Sequence, residues 1–260
     1  MNDFRGGFQA NQGIGQAAPT DLGLRDFMLG TYRYMAMAMA VLATVAYFVG
    51  QAMDITKLPS GEIIVGNQAL AGILFNPIMA LVAIGVIVFG FGAVGRKLPS
   101  MSQGGVLAFL FGFAAFMGAL MSAYATVLFD PMIVAKIFFM TVAMFGALSL
   151  FGYTTGFNLS SIIKYAAAAF MAYVAIAVVG MFFPAFSVTT GGTLGIVINV
   201  VALGAIAVIT AWETQMLKRT YYAYAGDPAM QGKMSAFGAA SLLLAFINMF
   251  QILMSLFGRD

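Results

Sequence analysis

The run TLGIVINVVALGAIAVITAWETQM occupies Thr193–Met216 and decides in which solvent this chain folds. A helix that crosses the hydrocarbon core of a bilayer needs roughly 20 mostly apolar residues, and this run is long enough. Few of its residues are polar, and one of them, Glu213, lies shortly before the cationic pair Lys218–Arg219. An ionisable side chain inside a membrane helix is costly and commonly functional, so Glu213 is the first candidate site residue.

The composition of the whole chain places most other segments in lipid as well. The 260 residues are 62% hydrophobic and 8% charged, whereas a soluble domain carries about 25% charged residues. The chain has no cysteine and no histidine, so disulfides, thiolate or histidine metal sites and Ser–His or Cys–His catalysis lack their side chains. We therefore expect no enzyme activity, no catalytic residue, no metal site and no cofactor. The net charge of +3 does not indicate a nucleic-acid partner.

Six further apolar runs have roughly the length of a spanning helix. They are Tyr32–Gly50, Gly72–Gly95, Val106–Tyr124, Met132–Gly152, Ile162–Phe183 and Ala236–Phe257. Short connections join the runs, which favours one compact bundle. The sequence thus predicts an all-α polytopic membrane protein, in which residues 31–260 form a seven-helix transmembrane domain. Residues 1–30 are polar and rich in Gly and Gln, and predict a cytoplasmic tail that is disordered or lies along the membrane interface.

The placement of lysine and arginine predicts the orientation of these helices. One side of the membrane holds Arg5, Arg25, Arg33, Arg96, Lys97, Lys164, Lys218, Arg219 and Lys233, and the other holds Lys57, Lys136 and Arg259. Because cytoplasmic loops carry an excess of these residues, we expect a cytoplasmic N-terminus and a periplasmic C-terminus. A re-entrant last segment is the alternative, and it would return the C-terminus to the cytoplasm.

Polar residues recur on one face of each of the last two runs. Asn199 and Glu213 lie fourteen positions apart, which puts them within about 40° on a helix. Ser241, Asn248 and Ser255 recur every seven residues. Such residues commonly face the bundle interior or a water-filled path, so these five residues predict a polar seam, with the seventh helix central. Structural hydrogen bonding between helices is the alternative, and it explains Glu213 less well than the others.

A proline interrupts the second run. Pro77 removes a backbone donor and is expected to kink the helix, and Asn76 can satisfy the freed groups. Asn76 and Pro77 are therefore a candidate hinge, although a kink that serves packing alone is the simpler interpretation.

Three segments carry a resemblance to a known family. LFGYTTGFNLSSI (Leu150–Ile162), WETQMLKR (Trp212–Arg219) and LLLAFINMFQILMSLFGRD (Leu242–Asp260) resemble the Bax inhibitor-1 family in its bacterial, YccA-like branch. The resemblance covers the whole bundle in the number and order of helices. It implies that the last helix is surrounded by the other six, and that the protein lies in the bacterial inner (plasma) membrane.

The resemblance implies two functions. Bacterial members are implicated in a proton-sensitive calcium leak, whereas some enteric relatives restrain a membrane-bound AAA protease. Leak-type members pair an Asp in the sixth helix with an Asp in the seventh. Here Glu213 takes the first position and Ala245 the second, and Gly156–Phe157 replaces the basic pair that usually follows YTT.

The missing acid favours a modulator of a membrane-bound AAA protease or of membrane homeostasis. The alternative is a pH-sensitive cation (calcium) leak through the polar seam, in which Glu213 senses protons or calcium. For Glu213 itself, a carboxylate that is anchored by hydrogen bonds at the helix end is the structural interpretation. The expected partners are the lipid bilayer and, according to the function, the protease or the transported ion.

Overall fold

Helices make up most of the part of the chain that the structure describes. The computed structural model describes residues 22–126, 128–183 and 192–258. The α-helices in these ranges are α1 (Leu22–Ala52), α2 (Gln68–Leu74), α3 (Pro77–Gly85), α4 (Phe91–Lys97), α5 (Gln103–Leu120), α6 (Pro131–Thr154), α7 (Ile163–Phe182), α8 (Thr193–Ala223) and α9 (Pro228–Phe257). Shorter elements are a π-helix at Val86–Gly90 and 3-10 turns at Leu98–Ser100, Ser122–Ala125 and Leu159–Ser161. An antiparallel hairpin of β1 (Ile55–Lys57) and β2 (Ile63–Val65) follows α1.

In the described ranges, 7 helical segments are long and apolar enough to cross a membrane. Six are the single helices α1, α5, α6, α7, α8 and α9. The remaining one, Pro77–Ser100, joins α3, the π-helix, α4 and a 3-10 turn end to end, and is called span 2 below. The predicted all-α membrane protein with seven spanning helices is thereby confirmed.

The first helix begins earlier than the sequence predicted. The boundary predicted between residues 30 and 31 falls inside α1, which begins at Leu22. Leu24, Phe27 and Met28 are buried in the core, because apolar residues spaced three and four apart share one face of a helix. Residues 1–21 lie outside the described ranges, so a disordered cytoplasmic tail there stays a prediction.

Pro77 begins span 2 and does not lie within it. The chain breaks after α2, and Pro77 is the first residue of α3. Asn76 caps this helix, because its Oδ1 accepts a hydrogen bond from the backbone N of Ile78 at 2.9 Å. Proline suits the first turn of a helix, where its missing N–H removes no helical hydrogen bond. The predicted kink is therefore a break between α2 and α3, and a hinge at this break stays a prediction.

The seventh spanning helix, α9, is the most buried of the seven. In its most apolar 18-residue stretch 61% of the residues are buried, whereas no other span exceeds 33%. It packs against α1, α5, α6 and α8. This burial confirms the predicted central position of the seventh helix, although four of the other six spans, and not all six, supply most of its contacts, and α7 packs mainly on α8. A core helix that is apolar on most of its faces needs neighbours on most of its faces.

Two glycines allow spanning helices to touch backbone to backbone. A Cβ atom at Gly152 of α6 would overlap the backbone carbonyl oxygen of Ala211 in α8. A Cβ atom at Gly118 of α5 would overlap the carbonyl oxygen of Leu42 in α1. Because membrane helices associate through close packing of small residues, these contacts fix α6 on α8 and α5 on α1.

Candidate functional site

Glu213 lines a cavity of about 220 Å³ between α8 and α9. The lining residues are Trp212, Glu213, Met216, Leu217 and Thr220 of α8, and Met234, Phe237, Gly238 and Ser241 of α9. Gly238 admits the side chain of Leu217, because a Cβ atom at this position would collide with Cδ2 of Leu217. Glu213 is the only ionisable residue among the described residues that line the cavity, so any charge chemistry there belongs to its carboxylate.

Two buried polar atoms of this cavity's residues have no hydrogen-bond partner among the described residues. They are Oε2 of Glu213 and Nε1 of Trp212. Nearly all buried polar atoms in proteins are paired with protein or water, so an unpaired carboxylate oxygen needs an explanation. The cavity has room for more than one water molecule. The arrangement is therefore suited to holding water, a proton or a cation at the carboxylate.

The two cations that follow Glu213 point away from it, as their positions on the helix predict. Lys218 Nζ donates to the carbonyl oxygen of Tyr153 at 3.2 Å, and Arg219 Nη2 donates to Oδ1 of Asn158 at 2.9 Å. Neither cation forms an ion pair with Glu213 in the described part of the chain. Lys218 and Arg219 therefore give no support to the interpretation in which hydrogen bonds at the helix end anchor the carboxylate of Glu213.

Gln215 holds the connection between α6 and α7, and sequence reasoning did not single it out. Its Oε1 accepts from the backbone N of Leu159 at 3.2 Å, and its Nε2 donates to the carbonyl oxygen of Phe157 at 2.8 Å. Arg219 Nη2 also donates to Oε1 at 3.1 Å. The four-residue spacing of Gln215 and Arg219 is a signal that the sequence offers. Their contacts with Phe157 and Leu159 depend on the fold.

The three polar residues predicted on α9 lie along its less buried side. Ser241, Asn248 and Ser255 are each half-buried, and the neighbouring Gln251 is exposed. Ser241 lines the cavity of Glu213. The hydroxyl of Ser255 is buried without a partner among the described residues. The structure thus brings Ser241 to Glu213, whereas Asn248 and Ser255 do not line this cavity.

Asn199 belongs to a separate polar cluster near the far end of the bundle. It lies about 21 Å from Glu213 along α8, at about 1.5 Å per residue. Its Nδ2 donates to the carbonyl oxygen of Gly195 at 2.8 Å, and its Oδ1 accepts from the hydroxyl of Tyr173 at 3.5 Å. The contacts of Asn199 with α7 and with its own helix agree with structural hydrogen bonding.

Ala245 is 2% exposed and does not line the Glu213 cavity. No group of three or more Asp, Glu, His or Cys residues that could hold a metal ion occurs in the described ranges. Of the two positions at which the resemblance implies an acid pair, Glu213 alone therefore carries a carboxylate.

The sequence profile described as "Inhibitor of apoptosis-promoting Bax1" matches residues 24–260, which is nearly the whole chain. The chain belongs to the Bax inhibitor-1 family. It is 32% identical over 265 residues to an uncharacterized protein of Caulobacter vibrioides, a match that covers 100% of this chain and 99% of the relative. It is 31% identical over 240 residues to the uncharacterized protein RP147 of Rickettsia prowazekii, which covers 92% of each chain.

Another relative in the Bax inhibitor-1 family has a name that states its location. The chain is 25% identical over 239 residues to the inner membrane protein YbhL of Escherichia coli, and the match covers 91% of this chain and 93% of YbhL. The matches to these bacterial relatives cover nearly the full length of the chain and therefore include all seven spans.

Proposed function

We propose that this member of the Bax inhibitor-1 family is a cation leak of the bacterial inner membrane that Glu213 controls. The observation that carries the proposal is the cavity in which Oε2 of Glu213 is buried without a hydrogen-bond partner among the described residues. A buried charge without a partner is unfavourable, so the carboxylate favours the uptake of a cation or a proton. Ionisable residues inside membrane helices commonly mark ion pathways.

The control that we propose acts through cation binding at the cavity. Oε2 of Glu213 has no hydrogen-bond partner among the described residues. Protonation of this oxygen would therefore break no hydrogen bond with them. Protonation is therefore expected to act by neutralising the carboxylate and displacing a bound cation. Because Ala245 supplies no second acid, a single group is expected to titrate at this site. Ser241, which lines the same cavity, offers a hydroxyl to the hydrated cation.

Calcium flux into proteoliposomes tests the proposal. The wild-type protein is expected to pass calcium at a rate that changes between mildly acid and neutral pH. Glu213→Gln keeps the size of the side chain and removes its charge, so its flux should not depend on pH over this range. Glu62→Gln is the matched control, because Glu62 is exposed in the loop between β1 and β2. Equal flux from wild type and Glu213→Gln at every pH would make Glu213 structural and exclude its control of the leak. Wild-type flux no greater than that of protein-free liposomes would exclude the leak itself.

Modulation of a membrane-bound AAA protease is the second candidate function. The observation that favours it is the buried Ala245, which leaves Glu213 without the second acid of leak-type relatives. The part of the predicted cytoplasmic tail that precedes α1, residues 1–21, is then the handle for the protease. The rate at which the protease degrades a membrane protein substrate should change when the full-length protein is present. A variant that lacks residues 2–21 should leave this rate unchanged. An equal rate with and without the full-length protein would exclude this function.

A further inference from the structure

A large crevice lies between α1 and α6, at the end of the bundle remote from Glu213. Its volume is about 1340 Å³. Both helices pack on α9 and on the turn Ser122–Ala125, and they stay apart where the crevice lies. Tyr47 of α1 and Phe139 of α6 line the crevice and are 53% and 69% exposed. The crevice therefore opens sideways, toward the lipid that surrounds the spans.

The inner end of the crevice is apolar. A cavity of about 200 Å³ continues from it and is lined mostly by apolar residues of α1, α6 and α9, among them Met39, Phe138, Leu243 and Phe250. Ala43, Tyr124 and Phe138 line both the cavity and the crevice, so the two spaces adjoin. Tyr124 is the only one of the cavity's described lining residues with a polar side chain. Water has few partners in such a cavity, whereas a hydrocarbon chain suits it.

The outer end of the crevice is charged. Asp54, Lys57 and Asp130 line it and are exposed. One oxygen of Asp130 accepts a hydrogen bond from the backbone N of Met132 at 2.7 Å. Within the described ranges, none of the three charged residues forms an ion pair. Two carboxylates and one ammonium group thus lie at the entrance, where the Asp54 carboxylate packs against the backbone of Gly66.

The depth of the combined space matches one leaflet of a bilayer. Gly50 lines the crevice and Met39 lines the cavity. These residues are about 16 Å apart along α1, at about 1.5 Å per residue. Half of a typical hydrocarbon core is about 15 Å thick.

We propose that the crevice and cavity bind one phosphatidylethanolamine molecule from the leaflet on that side of the membrane. One acyl chain occupies the apolar cavity on α9. The ammonium of the headgroup faces Asp54 and Asp130, and its phosphate faces Lys57. Two carboxylates disfavour an anionic lipid such as phosphatidylglycerol, since like charges repel. This inference does not depend on the proposed leak, because the crevice and the Glu213 cavity share no residue.

Native mass spectrometry of the full chain in detergent, titrated with phosphatidylethanolamine, tests the site. Ala43→Phe places a ring where crevice and cavity meet, and should weaken binding of the first lipid by on the order of tenfold or more. Ala40→Phe is the matched control on α1, since Ala40 is exposed and lines neither space. Thermal unfolding without added lipid establishes that both variants fold. Equal affinity of folded Ala43→Phe and Ala40→Phe would overturn the site.

Competition between lipids tests the headgroup. The wild-type protein should bind phosphatidylethanolamine more tightly than phosphatidylglycerol, and Asp54→Asn should reduce the difference. Asp54 has a φ of 49°, a conformation that asparagine also adopts readily, so this substitution preserves the backbone. Equal binding of the two lipids to the wild-type protein would overturn the headgroup assignment. An unchanged preference in Asp54→Asn would exclude Asp54 from it.

Discussion

Gly152 lets α6 and α8 meet without a side chain between their backbones. Substitution by alanine adds one methyl group at this contact and therefore tests it. Gly152→Ala should lower the free energy of unfolding by about 1–3 kcal/mol, because the new Cβ must push the helices apart. Gly146→Ala on the same helix is the control, since nothing lies within 4 Å of its Cβ position and alanine favours a helix over glycine. Thermal unfolding in detergent measures both, and equal melting temperatures would contradict the close approach.

The side chain of Gln215 joins α8 to the connection between α6 and α7, and its substitution tests this polar contact. Gln215→Leu leaves the N–H of Leu159 and the carbonyl of Phe157 without this side-chain partner. We expect a loss of about 1–3 kcal/mol in the free energy of unfolding. Gln251→Leu is the matched control, because Gln251 is exposed on α9. Urea titration in detergent compares the two variants, and a Gln215→Leu protein as stable as the control would refute the role of Gln215.

Span 2 is the least buried spanning element, and Phe91 is one of the residues that pack it against the core. None of its most apolar stretch is buried, yet Phe91 places its ring 5.1 Å from Phe109, 5.2 Å from Phe113 and 5.8 Å from Phe237. Phe91→Ala should destabilise the bundle by about 1–3 kcal/mol through lost aromatic contacts. Phe89→Ala in the same span should have little effect, because Phe89 is 74% exposed. Similar thermal unfolding of the two variants would show that span 2 is held by other contacts.

Elements that depend on local sequence were predictable, whereas their ends and mutual contacts were not. Length and hydropathy are local properties, so the seven spans followed from the sequence. The start of α1 at Leu22 depends on burial against the rest of the bundle. A proline can either kink a helix from within or begin a new one, and the sequence alone did not decide between these for Pro77. Likewise, helical geometry predicted that Lys218 and Arg219 point away from Glu213. The contacts of Gln215 and the crevice at Asp130 join segments far apart in sequence, and no local pattern indicates them.

The orientation of the whole molecule can be tested because the chain contains no cysteine. Ser60→Cys in the loop between β1 and β2, and Ala225→Cys between α8 and α9, each place one thiol at an exposed position. The excess of lysine and arginine predicts that a membrane-impermeant maleimide labels Ser60→Cys in intact spheroplasts. Ala225→Cys should be labelled only after lysis. The reverse labelling pattern would show that the bundle has the opposite orientation in the membrane.

The central helix follows the other six spans along the chain, and this order constrains how the protein is made. Translation proceeds at about 5–20 residues per second, so the 30 residues of α9 take about 2–6 s to emerge. During that interval the earlier helices are already in the membrane without the helix on which four of them pack. A nascent chain that stalls before Pro228 lacks this helix and should therefore be degraded faster than the full-length protein.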